Sequence, residues 1–308
     1  MAVNGVLRPG FVQMRVMDLD ASIIHYRDRI GLEMMGEPEN GRAYFRGFDE
    51  FDRHSIVLRE AKQPGLDVMA FKVRSDGDLN RFADRLTGMG VKVETVPAGE
   101  QPGVGRRIRF ATPTKHTIDL YAEMDLAREG PMISNPDVWR QEPRGMRATR
   151  FDHCALSGVD IDGSAKIFTD ALDFEISEHA VDKASNTRLA IFLSCSNMAH
   201  DVAFLGHGED GKLHHTSFLL ESWHDVGHAA DVIARYEISR DIGPTRHGIT
   251  RGQTIYFFDP SGNRNETFAG GYQFYPDNPM REWSSDQAGK GIFYYEGRLN
   301  DTFLTVLT

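Results

Sequence analysis

Three residues in this chain, His153, His215 and Glu266, could together hold a metal ion. Two imidazoles and one carboxylate leave coordination positions open, and a non-haem Fe(II) that activates O₂ is one ion such a set serves. By ligand type alone, Zn(II) and Ni(II) fit as well. Each residue taken singly has an ordinary reading. Most of the twelve histidines are expected on the surface or satisfied in the core, and Glu266 alone could be a salt-bridge partner. The three together carry more weight because they belong to three strands of a repeat.

Glu266 lies in "FFDPSGNRNETFAGG" (257–271). That stretch reads as a hairpin around the turn Asp259-Pro260-Ser261-Gly262-Asn263. Earlier the chain spells "RFATPTKHTIDLYAE" (109–123), the same hairpin with Asp119 where Glu266 stands. Two further pairs align: 11–35 with 151–177, and 65–73 with 213–221. This alignment sets Gln13 against His153 and Val68 against His215, so only the second half carries the full donor set. In "HHTSFLL", Phe218 and Leu220 match Phe71 and Val73, which should face helices. Alternation then turns His215 to the other side and sends His214 out with the helix-facing residues. A five-residue loop centred on Ser261 sets Tyr256 opposite Glu266.

Each half reads as two units of strand, helix and several strands, with helices expected near 77–89 and 222–236. The class is α+β, with antiparallel hairpins and helices on one face. The expected organisation is a degenerate, metal-free repeat over 1–145, a catalytic metal-binding domain over 146–270, and an aromatic tail over 271–308 folding back on that domain. A length of 308 residues suits two such domains. A formal net charge of −10 argues against a nucleic-acid surface. No signal peptide or membrane-spanning run is read, and two cysteines suit a reducing cytoplasm better than a disulfide scaffold.

"HGITRGQTIYFFDPSGNRNE" (247–266) resembles the extradiol ring-cleaving dioxygenase signature: a His, a spaced Tyr, Asp-Pro, Gly and a closing Glu. "RFDH", "AHDVAF", "LHHTSF" and "DIGPTRHG" extend the resemblance nearly end to end. It implies the vicinal oxygen chelate fold, with two domains each of paired βαβββ modules, a cytoplasmic homotetramer and one Fe(II) per chain. It also implies cleavage of catechol and small alkylcatechols by O₂ beside the diol. Carried over by position, the metal ligands are His153, His215 and Glu266, the acid/base is His200, and His247 and Tyr256 hydrogen-bond the diol. Phe192, Ile292 and Phe303 are expected in the pocket wall. Two other readings stand beside this one: a glyoxalase-like metal lyase or isomerase, against which the Tyr-x-x-Asp-Pro context counts, and a metal-free binding protein, against which the His-His-Glu set counts.

Overall fold

The computed structural model describes residues 5–308, and each half repeats strand, helix, three strands twice. In the first half these are β1 (Val6–Val16), α1 (Leu19–Ile24, continued by π-helical turns over His25–Ile30), β2 (Glu33–Met34), β3 (Arg42–Arg46) and β4 (Ile56–Glu60). Then come β5 (Gly65–Val73), α2 (Asp76–Gly88), β6 (Glu94–Val96), β7 (Arg107–Ala111) and β8 (Thr117–Tyr121). The second half runs β9 (Arg150–Gly158), α3 (Ile161–Leu172), β10 (Glu175–Asp182), β11 (Thr187–Ser194) and β12 (Val202–Gly206). It continues with β13 (Lys212–Leu219), α4 (Trp223–Arg235), β14 (Arg240–Arg246), β15 (Gly252–Phe258) and β16 (Arg264–Gly270). The tail adds β17 (Arg281–Ser284), α5 (Ala288–Ile292) and α6 (Asp301–Thr305). No described helix is long and apolar enough to cross a membrane.

The strands make two sheets, in the orders β2-β3-β4-β1-β5-β8-β7-β6 and β14-β15-β16-β13-β9-β12-β11-β10-β17. Local sequence explains the helices between them. Asp18, Ser75 and Asp160 each cap a helix, accepting from the amides of Ala21, Asp78 and Gly163. Behind the caps, Leu79, Phe82 and Leu86 on α2, and Ile167, Phe168 and Ala171 on α3, recur at helical spacing and bury one stripe each. Those stripes and the helix-facing side of both sheets form one apolar cluster spanning the halves. Phe71 of the first half packs edge-on against Phe168 and Phe174 of the second, at 5.7 and 5.3 Å between ring centres. Such pairs contribute about 0.5–1.5 kcal/mol each beyond their burial.

The ladders correct the alignment of the first strands. In the second half, His153 pairs with Ser217, which pairs with Glu266. The matching row in the first half is Phe11, Ala70 and Asp119. The counterpart of His153 is therefore Phe11, not Gln13. A two-residue slip leaves every side chain on its own face, so alternation alone could not detect it. The same ladders make His54 the counterpart of His200, two residues before Ile56 and Val202, which pair with Val12 and Cys154.

What occupies the first half's cup is thus explicit. Phe11 is fully buried between Tyr121 and His54, at 5.5 and 5.8 Å. Asp119 is clasped by Arg109 and Arg107. Burial drives His54 down to about 3, so it is neutral. Replacing Phe11 by Ala should cost about 3–5 kcal/mol of stability in denaturant unfolding, as for other buried Phe truncations. It should leave the metal content of the second half untouched.

Candidate metal centre

β9, β13 and β16 are adjacent strands, and each brings one donor to the face away from the main helix-side core. The strand carrying Glu266 is held from both ends of its hairpin. Tyr256 pairs directly with Glu266, the register expected from a five-residue loop. Within that loop, Asp259 accepts from the amides of Ser261 and Asn263. The first half grips the loop from outside: Tyr26 donates to Asp259, Asn263 to the Arg15 carbonyl, and the Met17 amide to Ser261. Asn265, next to Glu266, is bonded to His25 at 2.9 Å.

His153 Nε2 lies 3.2 Å from His215 Nε2 and 3.1 Å from Glu266 Oε2, and His215 Nε2 lies 3.3 Å from the same oxygen. A cation about 2.1 Å from three mutually perpendicular donors sets them about 3.0 Å apart. The match is close. All three residues are buried, and Glu266 Oε2 receives no hydrogen bond. A buried carboxylate oxygen without a donor is costly unless it meets a cation. The donor set therefore fits a divalent metal ion.

The outer nitrogens fix the tautomers. His153 Nδ1 donates to Asp152 Oδ2 at 2.8 Å, which frees its Nε2 lone pair. His214 Nε2 donates to the Phe303 carbonyl at 2.8 Å, so its Nδ1 accepts from His215 Nδ1 at 2.7 Å. That leaves His215 Nε2 free as well. His214 is not carried outward with the helix-facing residues, as alternation suggested. The ladder slips between Leu213 and His215, and the bulge turns His214 towards Phe303.

The electrostatics favour positive charge among the three donors. Burial opposes protonation of His153, but Asp152 at its Nδ1 and the Glu266 carboxylate facing its Nε2 outweigh this and raise it to about 9. Burial pushes His215 down to about 4 despite Glu266. Glu266 is held well below the usual carboxylate range: burial works the other way, and His153, His215 and His247 overcome it. A metal ion bound here takes the place of a proton, so binding is expected to release one.

Further proton-carrying groups surround the donors. The His200 ring lies 4.0 Å from that of His153, tilted against it, and burial keeps it well below its usual pKa, hence neutral. His247 Nε2 reaches the Tyr256 hydroxyl at 3.1 Å and Glu266 Oε1 at 3.2 Å. Thr254 donates to that same oxygen at 2.6 Å. Burial and nearby Glu266 raise the Tyr256 phenol. A small cavity opens on these groups, and Phe192, Ile292 and Phe303 line it together with Ala155, Ala203, Leu205, Ile249 and Thr250. The last five went unread in the sequence; their even spacing on β9 and β12 was a usable signal only for Ala155, Ala203 and Leu205. A larger cavity of about 580 Å³ lies between the halves and offers carboxylates and arginines but no imidazole.

Comparison with known proteins adds a relationship to this geometry. Residues 66–125 match the catechol 2,3-dioxygenase-like N-terminal domain, and residues 150–267 match the glyoxalase/bleomycin resistance protein/dioxygenase superfamily. The chain is 50% identical over 306 residues to a metapyrocatechase of Pseudomonas sp. (strain CF600), covering 99% of each. It is 26% identical to a manganese-dependent 2,3-dihydroxybiphenyl 1,2-dioxygenase of Geobacillus genomosp. 3, covering 93% of this chain and 92% of that one. Among solved structures, the 2,3-dioxygenase LapB from Pseudomonas sp. KL28 superposes with a TM-score of 0.90 at 44% identity, over 92% of this chain and 99% of that one. Homoprotocatechuate 2,3-dioxygenase of Brevibacterium fuscum shares the fold, with a TM-score of 0.85 at 24% identity over 99% and 94% of the two chains. With half its residues shared along its whole length and its paired βαβββ sheets superposing on those of LapB, the chain belongs to the extradiol ring-cleaving dioxygenases of the vicinal oxygen chelate superfamily.

Proposed function

We propose that this chain cleaves the ring of catechol and small alkylcatechols beside the diol with O₂, at one Fe(II) held by His153, His215 and Glu266. Catechol itself would yield 2-hydroxymuconate semialdehyde. The observation that carries the reading is the convergence of two free imidazole Nε2 atoms on a carboxylate oxygen that receives no hydrogen bond. The full-length similarity to a metapyrocatechase supports the substrate class.

Bound Fe(II) supplies a path for electrons between the diol and O₂, with positions left open for both. The protein's own residues do the rest. His247 and Tyr256, hydrogen-bonded to each other beside Glu266, are suited to orient one hydroxyl of the diol and accept its proton. Neutral His200 is suited to take up a proton and return it at ring cleavage. Phe192, Ile249, Ile292 and Phe303 exclude water and present an apolar wall to the ring. The reading includes a cytoplasmic homotetramer with a degenerate first domain over 1–145 serving as scaffold. The family resemblance supports that assembly, and the two free thiols, Cys154 and Cys195, suit that compartment.

Because one relative is named as manganese-dependent, the test compares both ions. Protein purified without air and loaded with Fe(II) should turn catechol yellow and consume O₂, and loading with Mn(II) should give less. Fully Fe(II)-loaded protein that produces no colour and takes up no O₂ overturns the reading.

A further inference from the structure

Glu178 on β10 is 1% exposed, and no ion pair involves it among the described residues. Burying a carboxylate without a cation is costly, so its hydrogen bonds must be good ones. It has two. One oxygen accepts the Thr250 amide at 2.7 Å, and the other accepts the Trp283 indole N–H at 2.8 Å.

Those two donors belong to the two segments that wall one side of the cavity. Thr250 lies in the loop between β14 and β15 that carries His247 and Ile249. Thr250 and Arg251 take φ values of 60° and 62°, left-handed backbone that a β-branched residue strongly disfavours. Trp283 lies on β17 in the tail. Its indole packs on Gly248, where an added Cβ would sit 2.7 Å from the ring. The tail also bonds the loop directly. The amides of Gly248 and Ile249 donate to the Gly291 carbonyl at 2.9 Å each, and His247 Nδ1 donates to the Ile292 carbonyl.

We propose that Glu178 is a positioning residue: it holds the strained 249–251 loop and the tail at Trp283 together, and so sets His247 and Ile249 against the substrate. This rests on the reading of the cavity as the diol site. Glu178 touches none of the three metal donors, so its influence falls on substrate binding rather than on metal retention.

The test uses Fe(II)-loaded Glu178→Ala and Glu178→Gln. Glu178→Ala should raise KM for catechol by about 10- to 100-fold, the scale of losing a buried hydrogen-bonding partner, with metal content unchanged. Glu178→Gln keeps an acceptor for one donor and should recover most of that loss. Limited trypsin digestion without substrate should cut after exposed Arg251 faster in Glu178→Ala than in the parent. Unchanged KM in a folded, metal-loaded Glu178→Ala overturns the proposal, and so does unchanged cutting at Arg251. A parent enzyme inert to catechol would instead indict the functional reading, and the digestion would still decide whether Glu178 holds the loop.

Discussion

Glu266→Gln should give a folded protein that retains little metal and has lost more than about 100-fold of its activity. The bound is set by comparison, since removing groups that merely orient metal ligands already costs about 10- to 100-fold. Gln is nearly the same size, and Thr254 and His247 can still meet its oxygen, so the strand pair β15–β16 has no reason to come apart. What disappears is the one negative charge among the three donors. His153 also loses a partner that raises its pKa, and the cluster loses its pull on positive charge. Metal content after gel filtration, read beside O₂ uptake, separates loss of the ion from loss of fold. Glu266→Gln protein that keeps both its metal and its turnover removes Glu266 from the donor set.

The contrast between the halves explains how much of this was readable. Alternation and the second hairpin's five-residue turn put Tyr256 opposite Glu266, because each depends on neighbours in sequence. The helices expected near 77–89 and 222–236 lie at 76–88 and 223–235, within a residue of their periodic stripes. What stayed hidden depended on partners far along the chain. The true counterpart of His153 is Phe11, which only the ladder between β1 and β5 reveals. His214 faces Phe303 because of a bulge, and a bulge leaves no mark in a hydrophobic pattern. His54 reads as one more histidine until β4 is seen beside β1, and Glu178 reads as a surface acid until Thr250 and Trp283 fold over it.

The same contrast gives the first half a role. It retained the strand rows but filled the metal position with Phe11 and neutralised Asp119 with two arginines. An apolar ring and a satisfied ion pair make a stable plug, which an open trio of donors does not. Its first helical segment and the end of β1 meanwhile supply Tyr26, His25 and the backbone of Arg15 and Met17 to the hairpin that carries Glu266. One half thus spends its polar groups on rigidity, and the other leaves them exposed to chemistry.

His200→Phe should lower kcat by about 10²- to 10⁴-fold while the metal stays bound, the usual contribution of a positioned acid or base. That range corresponds to about 2.7–5.5 kcal/mol of transition-state stabilisation. Retention of metal follows from geometry, because His200 stands beside His153 and is not among the three converging donors. Phe fills a similar volume between His153 and Phe192, whose ring centres lie 4.0 and 5.4 Å from that of His200, so the wall should hold its shape. KM for catechol should change far less than kcat, since the substitution leaves in place His247 and Tyr256, the pair proposed to orient the diol. His200 is suited to this work because burial above all keeps it neutral. A neutral imidazole can accept a proton on one nitrogen and give it back, whereas a permanently charged one can only give. Single-turnover measurement with bound metal quantified in the same sample decides the matter. A kcat within threefold of the parent would leave His200 as wall rather than catalyst, and proton delivery would then fall to the His247–Tyr256 pair.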